Sequence, residues 1–167
     1  MLRKALLFSI TTFFAFAAKT NTNSFNQDML KRHNHWRTKH GVPALEWNAD
    51  VAKVAQDWAN TIARADNMRH RQPNKYGENI FWISGRTPTG NDVVDAWYNE
   101  IKDYNYNRPG FSMKVGHFTQ VVWKDTTQIG CGSARSATGG IYVVCNYNPP
   151  GNYSGRFPAN VLRPRTR

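Results

Sequence analysis

Acidic side chains are scarce in this sequence. Its 167 residues hold 11 Asp and Glu against 22 Lys and Arg, a formal charge of +11. That imbalance favours anionic partners such as membrane surfaces, cell-wall polyanions or acidic glycans. Nucleic acid is the other usual partner of a basic chain, but no nucleic-acid motif appears and none is expected to bind. Cysteine is scarcer still: Cys131 and Cys145 stand alone, enough for one disulfide. Only one long apolar run is found, at the start, so no internal membrane span is expected. The sequence lacks Gly-x-Ser-x-Gly and His-Glu-x-x-His, and it has no spare cysteine to pair with a histidine. Three common routes to hydrolysis are thereby removed. No internal repeat and no second domain are apparent, and the length suffices for one domain with a real core.

What is present begins with Arg3 and Lys4 ahead of an apolar run, Ala5 to Ala18, in which Ala15-Phe16-Ala17 has the small-x-small form of a cleavage site. The pattern predicts a secretory signal peptide over residues 1–17; an uncleaved membrane anchor is the alternative, for which the run is short. Cleavage removes Arg3 and Lys4 and leaves 20 basic against 11 acidic residues, about +9. The protein is therefore expected to be secreted and extracellular. In that compartment an even cysteine count predicts a Cys131–Cys145 disulfide, with two buried free thiols as the alternative. Thirteen residues lie between the two, a loop whose closure is worth about 3 kcal/mol in the chain-entropy model.

Along the chain, residues 18–25 are polar and predict a flexible lead-in. A first helix is predicted from about Asn26 to His40, stopped by Gly41 and Pro43. Its His33, Asn34 and Arg37 read as buried polar groups that bond to backbone. Asn48 is placed to cap a second helix ending near Ala65, whose Val51, Ala55, Trp58 and Ile62 share one face. The run Ile80–Ile83 fits either a buried strand or a helical turn. A third helix is predicted from about Asn91 to Tyr104. At 100° per residue Glu100 falls among its apolar residues Val93, Trp97, Ile101 and Tyr104. A carboxylate there must be paired or protonated. Thr119–Lys124 predicts a short helix, and Gln128–Arg135 and Ile141–Tyr147 predict two strands. The last residues, 163–167, form a basic tail expected to be solvated. Late strands after helices suggest an α+β fold.

Two stretches carry a family resemblance. Gly116-His117-Phe118-Thr119-Gln120-Val121-Val122-Trp123 sets a histidine at the mouth of an apolar run. Tyr142-Val143-Val144-Cys145-Asn146-Tyr147-Asn148-Pro149-Pro150-Gly151-Asn152 follows. Both resemble signatures of the CAP superfamily, which unites cysteine-rich secretory proteins, antigen 5 and pathogenesis-related class 1 proteins. The resemblance covers residues 26–162. It implies a three-layer α-β-α sandwich around a small central antiparallel sheet, and a cleft tetrad of His70, Glu78, Glu100 and His117. Two imidazoles suit Zn2+ or another divalent cation, weakly held, with His70 and His117 as ligands. The glutamates orient the rings or, if the protein is an enzyme, serve as base in a metal-dependent hydrolase. The resemblance also implies binding of a sterol or fatty acid. The loop Tyr104-Asn105-Tyr106-Asn107-Arg108-Pro109-Gly110-Phe111 is the implicated element, with Tyr104, Tyr106 and Phe111 as contacts. A defence or signalling role of the pathogenesis-related type is a third reading. A monomer is expected, and Asn152-Tyr153-Ser154 is a glycosylation sequon.

Overall fold

The computed structural model describes residues 11–165, with side chains from residue 24 onward. Helix α1 spans Thr11–His40. The flexible lead-in expected at 18–25 is instead helical. No Gly or Pro interrupts this span, and extending a helix already anchored downstream needs no new nucleus. The anchor is the packed segment that includes Phe25, Met29 and Leu30. Residues 1–10 of the expected signal peptide lie outside the described residues, and 11–17 are described as backbone alone. Gly41, at φ +64°, ends α1 as expected, and the Val42 N–H returns to the Arg37 carbonyl at 3.1 Å.

A two-residue strand, β1 (Glu46–Trp47), leads into α2 (Ala49–Ala65). The Asn48 side chain accepts from the N–H groups of Asp50 and Val51, the predicted cap. Val51, Ala55 and Ile62 are buried as the periodicity requires, together with Ala59 and Ala63. Ile80–Ile83 resolves as a strand, within β2 (Gly77–Ile83). Helix α3 (Gly90–Tyr98) starts with a capping box between Thr89 and Asp92 and tightens into a 3-10 turn over Asn99–Asp103. Helix α4 is Gly116–Val121, three residues earlier than the predicted start at Thr119. Strands β3 (Gln128–Arg135) and β4 (Ile141–Asn148) follow the predicted bounds closely. A one-turn helix, α5 (Phe157–Asn160), closes the chain.

The sheet order is β1-β3-β4-β2. Strands β2, β4 and β3 pair antiparallel as expected, but the edge strand β1 is parallel to β3. The two-residue edge strand adds to the antiparallel sheet the resemblance implies. It is reached by a connection that returns through most of the domain, so a tight antiparallel hairpin was never available to it. Both faces of the sheet are covered. Val143, Cys145 and Tyr147 of β4 point into the core with α1, α3 and α4, whereas Tyr142 and Val144 pack against α2. This alternation makes the domain an α-β-α sandwich, and it explains why β4 reads as a continuous apolar run. A side chain at Gly130 or Gly132 would collide with the backbone of α2, so the glycines let the helix lie close on β3. Cys131 and Cys145 are directly opposite in the β3–β4 register and form the expected disulfide.

Of the basic tail, residues 163–165 are exposed but not free of the domain. The Arg165 N–H bonds to the Lys39 carbonyl at 2.8 Å. The Arg163 guanidinium lies over the Tyr106 ring, 4.8 Å from its centroid, and donates to Asn107 at 2.9 Å.

Candidate functional site

The tetrad assembles as two His–Glu pairs on different supports. Glu78 is the second residue of β2, and its side chain is 4% exposed. Its Oε1 accepts from His70 Nδ1 at 2.7 Å and from the Arg71 N–H at 3.1 Å. Glu78 thus folds the loop carrying His70 back onto the sheet. This hydrogen bond raises the His70 pKa above its ordinary value, outweighing the opposing effect of burial.

Glu100 sits in the 3-10 turn after α3. As the helical pattern indicated, it is partly buried and paired. Its Oε1 accepts from His117 Nδ1 at 2.6 Å, and its Oε2 accepts from the His117 and Phe118 N–H groups at 3.0 and 3.1 Å. One carboxylate therefore caps the start of α4 and fixes the ring beside it, which is why α4 begins at Gly116. The His117 ring also stacks on Trp97, with centroids 6.0 Å apart and planes at 19°. Beyond it Phe118, Val121, Val122 and Trp123 are fully buried. The histidine emerges from a core segment, as its position ahead of an apolar run predicts.

His70, Glu78 and His117 line one cavity of about 330 Å³. Glu100 does not line it and stands behind His117. With both Nδ1 atoms held by carboxylates, Nε2 is the nitrogen of each ring that has no hydrogen bond among the described residues.

The polar residues of α1 act as expected, as scaffold. Arg37 is fully buried with no carboxylate partner. It donates to the carbonyls of Pro43, Val121, Trp123 and Thr126 at 2.7–3.1 Å. Burial lowers its pKa to about 10. Asn34 clamps Leu45, donating to its carbonyl at 3.0 Å and accepting its N–H at 2.7 Å. His33 Nδ1 donates to the Met29 carbonyl at 2.7 Å, and its Nε2 accepts from the Tyr147 hydroxyl at 2.9 Å. The Tyr147 oxygen in turn accepts from Asn79 Nδ2, which also donates to the His117 carbonyl, each at 3.1 Å. The scaffold therefore reaches the cleft.

The three loop aromatics do not form one surface. Tyr104 is 8% exposed and packs edge-on against Phe118 in the core, just past the 3-10 turn. Tyr106 is packed against Tyr104 and covered by Arg163. Phe111, 56% exposed, lines the cleft instead. A Cβ on Gly116 would touch the Phe111 ring, so that glycine lets the ring fold back beside His117.

Sequence reasoning passed over five residues that line the cleft. Asn79 is one; it follows Glu78 in Gly-Glu-Asn. Asn152 is another. It donates from Nδ2 to the Gly116 carbonyl at 2.9 Å and accepts from the Thr119 hydroxyl at 2.6 Å. A glycan on that nitrogen would break the bond to Gly116. The other three are Arg69 and the methionines Met68 and Met113, 57% and 81% exposed. Isolated methionines in polar loops carry no periodic signal, whereas Asn152 closes the quoted stretch that begins at Tyr142.

Among the described residues, no three His, Cys, Asp or Glu side chains converge as a metal-binding group. What the cleft offers a metal is two imidazole nitrogens, each backed by a carboxylate on its far side. That is the outer-shell arrangement that sets tautomer and orientation in metal-ligating histidines. The donor set fits a loosely held cation with positions open to other ligands.

Comparison with known proteins agrees with the fold. The model of "CAP: Cysteine-rich secretory protein family" matches residues 30–147. "Golgi-associated plant pathogenesis-related protein 1" of Homo sapiens is 40% identical over 152 residues, spanning 88% of this chain and 98% of that one. "Pathogenesis-related protein 1C" of Nicotiana tabacum is 36% identical over 155 residues, 92% of each. A solved structure described as "Crystal structure of NaASP2 with Zn2+" superposes with a TM-score of 0.68 at 24% identity, covering 86% of this chain and 87% of that one. The chain belongs to the CAP family.

Proposed function

We propose that this is a secreted, extracellular binding module whose His70–His117 cleft takes a divalent cation weakly and an apolar ligand, a sterol or fatty acid, against Phe111 and Ile80. One observation carries the reading. Two imidazoles line one cavity, and each has its Nδ1 engaged by its own glutamate, so each has its other nitrogen left for a ligand. The Cys131–Cys145 disulfide supports an oxidising compartment. The excess of basic residues supports attraction to anionic membrane or cell-wall surfaces.

The metal-dependent hydrolase is the weaker reading. A general base needs a carboxylate free to take a proton from water. Glu78 and Glu100 are both committed to a ring nitrogen and to backbone N–H groups. The names of the relatives favour a defence-type role, and binding a lipid of another organism is compatible with it.

The test is calorimetry with zinc and a labelled sterol on folded variants. His70→Ala with His117→Ala should abolish zinc binding. Phe111→Ala should lose the sterol, whereas Tyr106→Ala should keep it because its ring is covered by Arg163. Zinc binding that survives in the double histidine variant would place the cation elsewhere.

A further inference from the structure

We propose that the protein carries a second site, at the opposite end of the sheet from the cleft, which takes the sulfate or carboxylate of an acidic sugar. A cavity of about 390 Å³ lies there between the loop after β2 and the β3–β4 hairpin. Ser84, Arg86 and Thr87 line it from the loop, and Arg135, Thr138 and Gly139 from the hairpin. Its lining holds two guanidiniums and three hydroxyls, with no carboxylate and no apolar side chain. Glu78 and Ile83 stand at the two ends of β2, so the two sites are about 17 Å apart at about 3.3 Å per residue. The proposal is independent of what the cleft binds.

Arg135 is the decisive group. Among the described residues it forms no ion pair. Its Nη1 donates instead to the Gly139 carbonyl at 3.1 Å, and its Nη2 to the Thr87 hydroxyl at 3.2 Å. These bonds fix the guanidinium between hairpin and loop and leave Nε–H without a partner. A planar fork that is already positioned loses little freedom on meeting an oxyanion. Arg86 is balanced by Asp92, 2.9 Å from its Nη1, and keeps Nε and Nη2 uncommitted. The Thr87 hydroxyl, which accepts from Arg135, can still donate, and that of Ser84 has no hydrogen bond among the described residues. Asp66 stands behind Thr138, outside the lining. Both its oxygens are engaged, by Thr138 at 2.5 Å and by Tyr142 at 2.8 Å. The cavity therefore presents mostly donors, and an oxyanion is the group that satisfies them. A sugar is indicated by Trp82, 47% exposed beside the hairpin. A Cβ on Gly140 would lie 2.6 Å from its Nε1, and its ring is 6.5 Å from that of Tyr142, which bonds Asp66. An exposed indole offers a flat apolar face to the C–H side of a neighbouring pyranose. The excess of basic residues draws acidic chains to the surface, and this cavity gives one acid group a fixed place.

The experiment is calorimetry at about 0.15 M salt, where loose surface attraction is screened. The probes are a sulfated, a uronate and a neutral tetrasaccharide, and inorganic sulfate. Arg135→Gln removes the unpaired charge, Ser84→Glu puts a carboxylate into the cavity, and Trp82→Ala removes the flat face. Lys53→Gln makes the same one-unit change of charge on the exposed side of α2, about 20 Å along the helix from Asp66. Circular dichroism checks folding, and Ser84→Glu, an exposed position, decides the matter should Arg135→Gln not fold. Wild type should bind an acidic tetrasaccharide at one site and the neutral one more weakly; the better of the two acidic probes names the group. Arg135→Gln and Ser84→Glu should each lose about tenfold, the worth of a charged hydrogen bond. Trp82→Ala should also bind more weakly, and Lys53→Gln should stay within about twofold. Equal losses in Arg135→Gln and Lys53→Gln would mean a diffuse field and overturn the site. Loss confined to His70→Ala with His117→Ala would move the sugar to the cleft and overturn it too. Inorganic sulfate or the neutral probe bound as tightly as the acidic ones, or no effect of Trp82→Ala, overturns the acidic sugar as ligand. A wild type that binds no probe overturns the whole proposal and leaves the cleft reading untouched.

Discussion

The buried imidazole of His33 should make this protein lose stability in acid by a calculable amount. The ring is fully buried, and its two hydrogen bonds fix its protonation state. The Met29 carbonyl can only accept, so Nδ1 carries the hydrogen. Nε2 then accepts from Tyr147, whose oxygen is occupied by the Asn79 amide. A second proton on Nε2 would face a hydroxyl that is already donating. Burial lowers the pKa of His33 from 6.5 to about 4; Arg37 adds to the shift and the Met29 carbonyl opposes it. The unfolded chain therefore binds one more proton between those two values. This contribution to stability is fully present above about pH 6.5 and is lost as pH falls, at about 1.4 kcal/mol per unit. Over the whole window the loss is about 3 kcal/mol, a large part of a typical domain stability of about 5–15 kcal/mol. The assay is urea unfolding from about pH 7 to pH 4 for wild type and His33→Asn, whose amide can still reach the Met29 carbonyl. His35 and His40 also have lowered pKa values, through burial first, but they are common to both proteins and cancel in the difference. His33→Asn should be less stable at neutral pH by about 1–3 kcal/mol, and the two curves should converge as the pH falls. Parallel curves would falsify the neutral, buried state assigned to this ring.

Replacing Arg37 by Leu strands the three buried carbonyls of Val121, Trp123 and Thr126 at about 1–3 kcal/mol each, so the domain should fail to fold cooperatively; Arg37→Lys should also lose stability, because an ammonium has three donors and no planar fork. Glu78→Gln should lower the His70 pKa, read from the pH titration of its ring by NMR, since the carboxylate is the group that raises it. Removing the disulfide with Cys131→Ala and Cys145→Ala should cost about 3 kcal/mol in urea unfolding without altering zinc affinity, because the bridge lies within the β3–β4 pair.

Much of the architecture was legible because local signals and tertiary packing agree. Asn48 announces α2, and two neighbouring strand-like runs of matching length announce β3 and β4. The failures have identifiable causes. The start of α4 was read three residues late because its cap is not a neighbour in sequence. It is Glu100, which reaches the His117 and Phe118 N–H groups from the turn after α3. Strand β1 is two residues long, too short for any period to show. The resemblance implicates Tyr104, Tyr106 and Phe111 together, but Tyr104 packs on Phe118 and Tyr106 lies under Arg163, so of the three only Phe111 lines the cleft. Of the tetrad, Glu100 was the residue that sequence periodicity alone could flag, since a carboxylate among apolar neighbours needs a partner. His70 had only the family pattern to identify it, because its loop offers no period and its ring is held by Glu78 alone.

The division between scaffold and site, natural when reading the sequence, does not survive in the fold. Arg37 holds the Val121 carbonyl at the end of α4, and Glu100 holds the N–H groups at its start. His33, through Tyr147 and Asn79, holds the carbonyl of His117 itself. Both ends of the six-residue helix that carries one cleft imidazole are therefore fixed by side chains from other elements. A helix that short has little stability of its own. Its position, and so the position of the His117 ring, is set by buried polar bonds to α1, β2 and the turn after α3. The His70 ring depends instead on one partner at the surface end of β2 and is 56% exposed. A ligand that bridges the two rings meets one rigid and one yielding contact. Damage to the buried network should therefore weaken binding through His117 even where no mutated atom touches the cleft, and His33→Asn is the substitution that separates that effect from simple unfolding.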